Sequence, residues 1–322
     1  MRTPERPLHP DDLLHTRDLL RRGVLPSEEA RRGKATLRRI RRGSYIEQAR
    51  WSELDAGNRF RALVVCSYES MRTSPPPTAC LFAAAVLWGL PILGRWPDRV
   101  DVVTDSGASG GSKLIRRHRV AVVPDPVDLR GIPVTTVART VVDLARIGDL
   151  AAGLVTADAA LHEHKCTLAE LDAEVAAIPP GAAGRRRAAL AIHLADGRSE
   201  SPGESLSRAR IYEFGFTQPD LQMPLTDGGG CFGFSDFGWV NRRGEFDGEL
   251  KYAEPDALWR EKQREDRARR AGQPSERWVW DDALRGHPLR TVLRNAGIPR
   301  SRAPWRRWDP ERQPIRTDAG FH

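Results

Sequence analysis

Residues 231–250 read CFGFSDFGWVNRRGEFDGEL, and this stretch predicts two consecutive β-strands joined by a short turn. Because side chains alternate between the two faces of a strand, Glu245 and Asp247 lie on one face and Phe246 on the other. Asp236, on the preceding strand, can approach the face that carries the two acidic residues if the strands pair. The stretch therefore predicts three acidic side chains at one place on a sheet.

Three carboxylates on one face repel one another unless a cation neutralises them. Hard oxygen ligands favour Mg²⁺ or Mn²⁺ over zinc. Asp236, Glu245 and Asp247 are therefore candidate metal ligands and candidate catalytic residues, since such a metal could polarise a phosphodiester and activate a water for attack on phosphorus. Acidic residues on an exposed strand face are also common without a metal, so a solvated face is the alternative.

Two further residues are candidates for the same site. Glu204 could contribute from the helix that precedes the sheet, although it could equally form a simple i, i+4 pair with Arg208. Lys251 shares the strand parity of Glu245 and could stabilise charge on a phosphate in the transition state. It lies about 13 Å from Asp247 along an extended strand, unless the chain bends at Gly248.

Outward from this stretch, the pattern predicts an α/β domain with a mixed sheet over residues 196–300, in the element order α-β-β-β-α-β-α. Residues 56–195 predict an α+β middle section that includes a helix at 167–177, opened by a capping box of Thr167 and Glu170. Residues 301–322 are rich in Pro, Arg and Trp and are predicted to be disordered. The chain is thus expected to be a multidomain α/β protein.

Residues 1–55 predict a winged helix-turn-helix, with helices at 11–22, 26–32 and 34–41 and a strand at 44–46. Between positions 17 and 42 there are ten basic and three acidic residues, against a net charge of +8 for the whole chain. On the third helix the apolar residues would face the core and four arginines would face outward, where they could contact DNA phosphates. These candidate DNA-binding residues are Arg38, Arg39, Arg41 and Arg42. A solvated basic face or a protein-binding face is the alternative.

The composition of the chain also bears on its partners, on a zinc site and on its location in the cell. The sequence pI of about 9.8 suits a nucleic-acid partner, although a GC-rich genome also enriches a chain in arginine. The four cysteines have no zinc-ligand spacing. No apolar stretch reaches the ~20 residues that a membrane span requires, and the N-terminus has no signal-peptide core, so we expect a cytoplasmic protein without a membrane partner.

Several short motifs, in their order along the chain, resemble one group of proteins. In the C-terminal third they are Glu204-Ser205-x-x-Arg208, Gly215-Phe216-x-x-Pro219-x-x-Gln222, Asp236-Phe237-x-Trp239, Glu245-Phe246-Asp247-Gly248-x-x-Lys251-Tyr252 and Glu261-Lys262-x-Arg264-Glu265-Asp266. Before them come Arg41-Arg42-Gly43-x-Tyr45, Leu87-Trp88-Gly89-Leu90-Pro91, Gly131-Ile132-Pro133-Val134-Thr135 and Arg139-Thr140-x-x-Asp143-Leu144-Ala145. The chain resembles actinobacterial AbiEi-type antitoxin-like proteins whose C-terminal domain is similar to very-short-patch-repair endonucleases, in the PD-(D/E)XK superfamily.

The resemblance implies a restriction-endonuclease-like fold in which Asp236 and Glu245 hold the metal. Asp247 stands where the superfamily usually has a lysine. Either Asp247 is a third metal ligand while a residue such as Lys251 or Lys262 supplies the positive charge, or the domain has lost catalysis and kept only the fold. Ala79-Cys80 also replaces a Ser-His pair that the group often has. Two functions follow: a Mg²⁺-dependent DNA endonuclease, or an AbiEi-like type IV antitoxin or transcriptional repressor with an inert nuclease-like domain. An antitoxin would have a nucleotidyltransferase-like toxin as its partner.

Overall fold

The computed structural model describes residues 7–24, 36–104, 113–120, 124–248 and 255–301. The chain divides into two compact units, Met1–Thr140 and Val141–His322, and the division falls within one helix. The structure is a mixed α/β fold with three sheets among the described residues. Within the same residues, no helix is both long enough and apolar enough to cross a membrane. The three-domain division stays a prediction.

The first part of unit 1 is built on a small antiparallel sheet. Its strands are β1 (Leu14–His15), β2 (Leu37–Arg41) and β3 (Ser44–Glu47), in the order β1-β3-β2, and its helices are α1 (Thr16–Arg21) and α2 (Gln48–Glu53). The strand predicted at 44–46 is confirmed. The helix predicted at 11–22 is shorter than expected, because a 3-10 turn at Pro10–Asp12 and strand β1 occupy its first half.

The helix predicted at 34–41 is wrong, because residues 37–41 form strand β2. Strands β2 and β3 make a hairpin in which Arg39 pairs with Tyr45, and Arg41 pairs with Ser44. Gly43 adopts a φ of +87°, a conformation that glycine reaches without steric cost and that the tight turn requires. The helix predicted at 26–32 lies outside the described residues, so the winged helix-turn-helix stays a prediction.

The rest of unit 1 packs helices on a five-stranded sheet. The elements are α3 (Ala56–Glu69), β4 (Thr78–Ala79), α4 (Leu81–Trp88), β5 (Val100–Thr104), β6 (Ile115–Arg119), β7 (Val127–Leu129), β8 (Ile132–Val134) and the start of α5 (Val137–Ile147). The strand order is β6-β5-β4-β8-β7, with parallel pairs β5–β6 and β4–β8. Helix α4 is buried almost all round, as its uninterrupted apolar composition predicted.

Unit 2 begins with a layer of helices and ends with a four-stranded sheet. The helices are the end of α5, α6 (Leu150–His162), α7 (Leu168–Ala177), α8 (Arg185–Leu194), α9 (Pro202–Glu213), α10 (Pro255–Arg270), α11 (Trp280–Arg285) and α12 (His287–Asn295). The strands are β9 (Asp220–Asp227), β10 (Gly230–Trp239), β11 (Arg242–Asp247) and β12 (Ser275–Val279), in the order β12-β11-β10-β9. Only β11–β12 is parallel, which confirms the predicted mixed sheet. The elements follow the predicted order, except that two short helices, α11 and α12, replace the single last helix that was expected. The capping box of Thr167 and Glu170 is also confirmed.

Helix α9 packs directly on this sheet. A Cβ atom on Gly203 would lie 2.1 Å from the ring of Phe246, so only glycine allows so close an approach. Further along the helix, Ser207 Oγ accepts a 2.8 Å hydrogen bond from Trp278 Nε1, and the Trp278 ring stacks on Phe237 with 5.2 Å between centroids. These contacts bring the first turn of α9 next to the strand that carries the acidic residues.

Candidate functional site

Asp236 lies where the ladder between β10 and β11 stops. The last backbone pair at this end joins Phe237 to Gly244. Beyond it, Asp236 Oδ2 accepts a 2.7 Å hydrogen bond from the backbone N–H of Phe246. The Ser235 hydroxyl donates to the carbonyl oxygens of Phe237 and Gly244 at 3.1 and 3.0 Å. Side chains therefore replace backbone partners at the point where the predicted site lies.

The structure brings Asp236 close to two other acidic residues, Glu204 and Glu245. Burial raises the pKa of the Asp236 carboxyl to about 7, and the negative charges of Glu204 and Glu245 push it in the same direction. The hydrogen bond from Phe246 and the charge of Arg264 oppose this shift. Three of the candidate residues therefore share one electrostatic environment, in which a proton is held on Asp236 up to near-neutral pH.

Glu204 is held in the first turn of helix α9. Its carboxylate accepts the backbone N–H of Glu200 at 2.9 Å and the hydroxyl of Ser201 at 2.7 Å, while its own N–H donates to the Ser201 side chain. Burial raises its pKa. The predicted alternative of a pair with Arg208 is wrong, because the Arg208 guanidinium donates to Asp158 instead. The Ser-x-x-Glu spacing at 201–204 is typical of a helix N-terminal cap and could have predicted these hydrogen bonds from the sequence.

Glu245 is buried and neutralised by two arginines that the sequence reasoning did not identify. Arg264 and Arg277 each place a guanidinium nitrogen 2.9 Å from its carboxylate, and the Ser275 hydroxyl donates to it at 3.0 Å. Both arginines also bind Glu261, at 2.8 and 2.5 Å. Hydrogen bonds from Arg264 and then Arg277 lower the pKa of Glu261 despite its partial burial. From the sequence, the i, i+3 spacing of Glu261 and Arg264 could have predicted the ion pair between these two residues.

The remaining candidates differ in their surroundings. Asp247 is half-buried at the end of β11, and its side chain forms no hydrogen bond or ion pair with the residues that the structure describes. Lys251 lies outside the described residues. Lys262 is exposed on helix α10. Among the described residues, the cations that contact these carboxylates are Arg264 and Arg277, which both bind Glu245.

The carboxylates have the oxygen chemistry that Mg²⁺ or Mn²⁺ prefers, but their arrangement does not fit a metal ion. Across the described part of the chain, no three His, Cys, Asp or Glu side chains are grouped so that they could hold one. Glu245 is engaged by Arg264, Arg277 and Ser275, and Asp236 binds a backbone N–H. The set Asp236, Glu245 and Asp247 stays a prediction that requires the two arginines to release Glu245.

The four candidate DNA-binding arginines lie on or beside the hairpin and have different roles. Arg38, Arg39 and Arg42 are exposed, and Arg38 lies over the ring of Trp51 at 5.7 Å. Arg41 is half-buried and donates to the carbonyl oxygens of Cys66 and Ser67, at the end of helix α3, at 3.3 and 3.1 Å. Burial lowers the pKa of Arg41. Three of the four arginines are therefore open to a ligand, and the fourth anchors the hairpin.

No family model matches the chain. Two uncharacterized proteins of Mycobacterium tuberculosis, from strains CDC 1551 / Oshkosh and H37Rv, are each 33% identical to it over 164 residues. The match covers 50% of this chain and 60% of each relative, so the chain spans less than two thirds of their length. The similarity indicates related proteins in mycobacteria, and it carries no activity over to this chain.

Proposed function

We propose that this chain is a DNA-binding protein and that the β2–β3 hairpin contacts the phosphate backbone. The observation that carries the proposal is the exposure of Arg38, Arg39 and Arg42 on one hairpin, whose remaining arginine is turned inward. A guanidinium fork matches the oxygens of a phosphate better than an ammonium does. A two-stranded ribbon is also narrow enough to enter the major groove of DNA.

The test is a salt titration of duplex DNA binding by fluorescence anisotropy. We compare the wild type with the triple variant Arg38→Ala, Arg39→Ala, Arg42→Ala. For every phosphate that the variant no longer neutralises, the slope of log K against log salt should become shallower by about 0.9. A charge-matched control replaces three exposed arginines elsewhere in unit 1 by alanine: Arg95, Arg99 and Arg119. Equal reductions in the two triple variants would contradict a hairpin contact, because they would indicate attraction by net charge alone.

A second candidate function is metal-dependent hydrolysis of DNA by unit 2. The observation that favours it is that the negative charges of Glu204 and Glu245 both raise the pKa of Asp236, as expected of carboxylates that face one site. The observation that favours an inert, nuclease-like unit in an antitoxin or repressor is the neutralisation of Glu245 by Arg264 and Arg277. The two hypotheses predict opposite results in a cleavage assay.

Supercoiled plasmid and labelled linear duplex are incubated with the protein in Mg²⁺ and in Mn²⁺. If the chain is an endonuclease, it nicks or cuts these substrates, and Asp236→Ala abolishes the products while leaving DNA retardation in a gel unchanged. The regulator hypothesis expects intact DNA in both metals together with retardation that depends on the hairpin arginines. Under that hypothesis we also expect binding to a nucleotidyltransferase-like toxin.

A further inference from the structure

A polar cleft in unit 1 is separate from the acidic residues discussed above. It lies where three segments meet: the start of α1, the turn of the β2–β3 hairpin and the end of α3. Its volume is about 530 Å³, and its walls include His15, Arg17, Arg42, Glu69 and Arg72. Sites for small molecules in proteins usually have volumes of ~300 to 1,000 Å³, whereas a lone phosphate ion fills far less.

Three arginines from three different segments line this cleft, and all three are exposed. Arg17 lies 3.5 Å from Asp18, which is on its own helix. Arg42 and Arg72 form no ion pair with any residue in the described ranges 7–24, 36–104, 113–120, 124–248 and 255–301. Positive side chains of this kind repel one another, so their convergence on one cleft indicates an anionic ligand between them.

Two hydrogen bonds to backbone carbonyls hold the walls of the cleft between the arginines. The N–H of Thr16 donates to the carbonyl of Gly43 at 3.0 Å, which joins α1 to the hairpin turn. The Ser70 hydroxyl donates to the carbonyl of Ser67 at 2.8 Å and so fixes the end of α3. Both ends of the cleft are therefore held in place by groups other than the arginines.

One acidic residue also lines the cleft. Glu69 Oε2 lies 3.5 Å from His15 Nε2, and the Glu69 side chain remains partly exposed. A carboxylate would repel a ligand that consists of phosphate alone. It would favour a ligand that presents hydroxyl groups beside its phosphate, because a carboxylate accepts hydrogen bonds from hydroxyls.

We propose that this cleft binds a small phosphorylated sugar, either a sugar phosphate or a nucleotide, with Arg17, Arg42 and Arg72 on the phosphate and Glu69 on the sugar hydroxyls. The same chemistry occurs at the 5′-phosphorylated end of a nucleic acid strand. The proposal goes beyond DNA binding, since it concerns a different ligand. The two share only Arg42, which lies at the edge of both surfaces.

The test is isothermal titration calorimetry of the full chain with ribose 5-phosphate, AMP, ribose and inorganic phosphate. We expect ribose 5-phosphate or AMP to bind at least tenfold more tightly than either ribose or phosphate. Arg72→Ala should weaken that binding at least tenfold. Glu69→Gln should weaken the binding of ribose 5-phosphate and leave that of inorganic phosphate unchanged or stronger. Circular dichroism melts establish that each variant folds.

The matched control is Arg39→Ala, which removes an exposed arginine from the same hairpin but outside the cleft. It should leave ribose 5-phosphate binding unchanged and weaken DNA binding, whereas Arg72→Ala should do the reverse, so failure of one proposal is distinguishable from failure of the other. Absence of binding to all four probes would overturn the cleft proposal, as would equal losses in Arg39→Ala and Arg72→Ala. Tight binding of a 5′-phosphorylated oligonucleotide, with no binding of ribose 5-phosphate or AMP, would overturn the assignment to a small ligand.

Discussion

At the scale of single residues, Asp236 shows how far the sequence could lead. The alternation of strand residues and the short turn predicted that Asp236 and Glu245 would come close, and the structure places them in one environment. The hydrogen bond from Phe246 could not be predicted, because it depends on where the backbone ladder stops. Arg264 and Arg277 were also missed, since their contact with Glu245 depends on how helix α10 and strand β12 pack on the sheet.

The raised pKa of Asp236 predicts a pH dependence of stability. The folded state binds the proton up to about pH 7, whereas an unperturbed aspartate releases it near 3.8. The contribution of Asp236 to the free energy of unfolding is therefore greatest below about pH 4. It is lost as the pH rises from about 4 to 7, at up to about 1.4 kcal/mol per pH unit. Asp236→Asn should flatten this slope when the free energy of unfolding in urea is measured from pH 4 to 8.

The control for this measurement is Asn241→Ala, in the turn that joins the two strands, which changes no ionisable group and should keep the wild-type slope. Asparagine at 236 can still accept the N–H of Phe246 through its amide oxygen, so the variant removes the charge and not the hydrogen bond. A slope that is the same in the wild type and in Asp236→Asn would show that the carboxyl ionises in the folded state as readily as in the unfolded chain.

At the scale of elements, the helices of unit 2 were predictable and the hairpin of unit 1 was not. Helices α6, α7 and α9 each begin at a residue whose side chain caps the first turn, so their starts are encoded in the local sequence. Residues 37–41 contain two apolar residues three apart, which suits one face of a helix. They form a strand because the turn at Gly43 brings them beside β3, where Ile40 packs on helix α3.

Because Arg41 points inward, its replacement should lower the stability of the fold without changing the number of phosphates that the chain binds. Arg41→Ala removes two hydrogen bonds to the end of α3, and the free energy of unfolding should fall by about 1 to 2 kcal/mol. The salt slope of DNA binding should stay at the wild-type value, unlike that of Arg39→Ala. A salt slope that falls equally in both variants would mean that Arg41 turns outward to reach phosphate.

Loss of the ion pair between helices α6 and α9 should lower the free energy of unfolding by more than the loss of Arg41. Asp158 is fully buried, accepts the N–H of Asp196, and binds Arg208 at 2.5 Å. Asp158→Ala leaves a buried guanidinium without its carboxylate, which should cost about 3 to 5 kcal/mol in denaturant unfolding. Adding Arg208→Ala should restore part of this loss. Strictly additive losses in the double variant would show that the two side chains do not interact.

At the scale of the whole molecule, the distribution of charge can be read directly from the sequence, whereas the packing of distant segments cannot. Residues 17–42 hold a local balance of +7 in a chain of net charge +8. The division between the two compact units, at 140–141, falls inside a continuous helix that no break in the sequence marks. A boundary of this kind depends on contacts between distant segments, which local patterns do not contain.

This uneven charge predicts how the chain behaves toward a negatively charged surface. On a cation-exchange column at pH 7, the hairpin triple variant of Arg38, Arg39 and Arg42 should elute at clearly lower salt than the wild type. The control triple variant of Arg95, Arg99 and Arg119 has the same net charge and should elute nearer to the wild type, because retention depends on a local patch. Identical elution of the two variants would show that only the total charge matters.

The anchoring of the hairpin has a consequence for the thermodynamics of binding. Arg41 ties one side of the turn to helix α3, and the carbonyl of Gly43 accepts the N–H of Thr16 on the other. The backbone that presents Arg39 and Arg42 thus already has a fixed shape before any ligand arrives. Association then orders only the arginine side chains, at about 0.5 to 1.5 kcal/mol each, so the entropy cost of binding should be smaller than for a loop that folds onto its ligand.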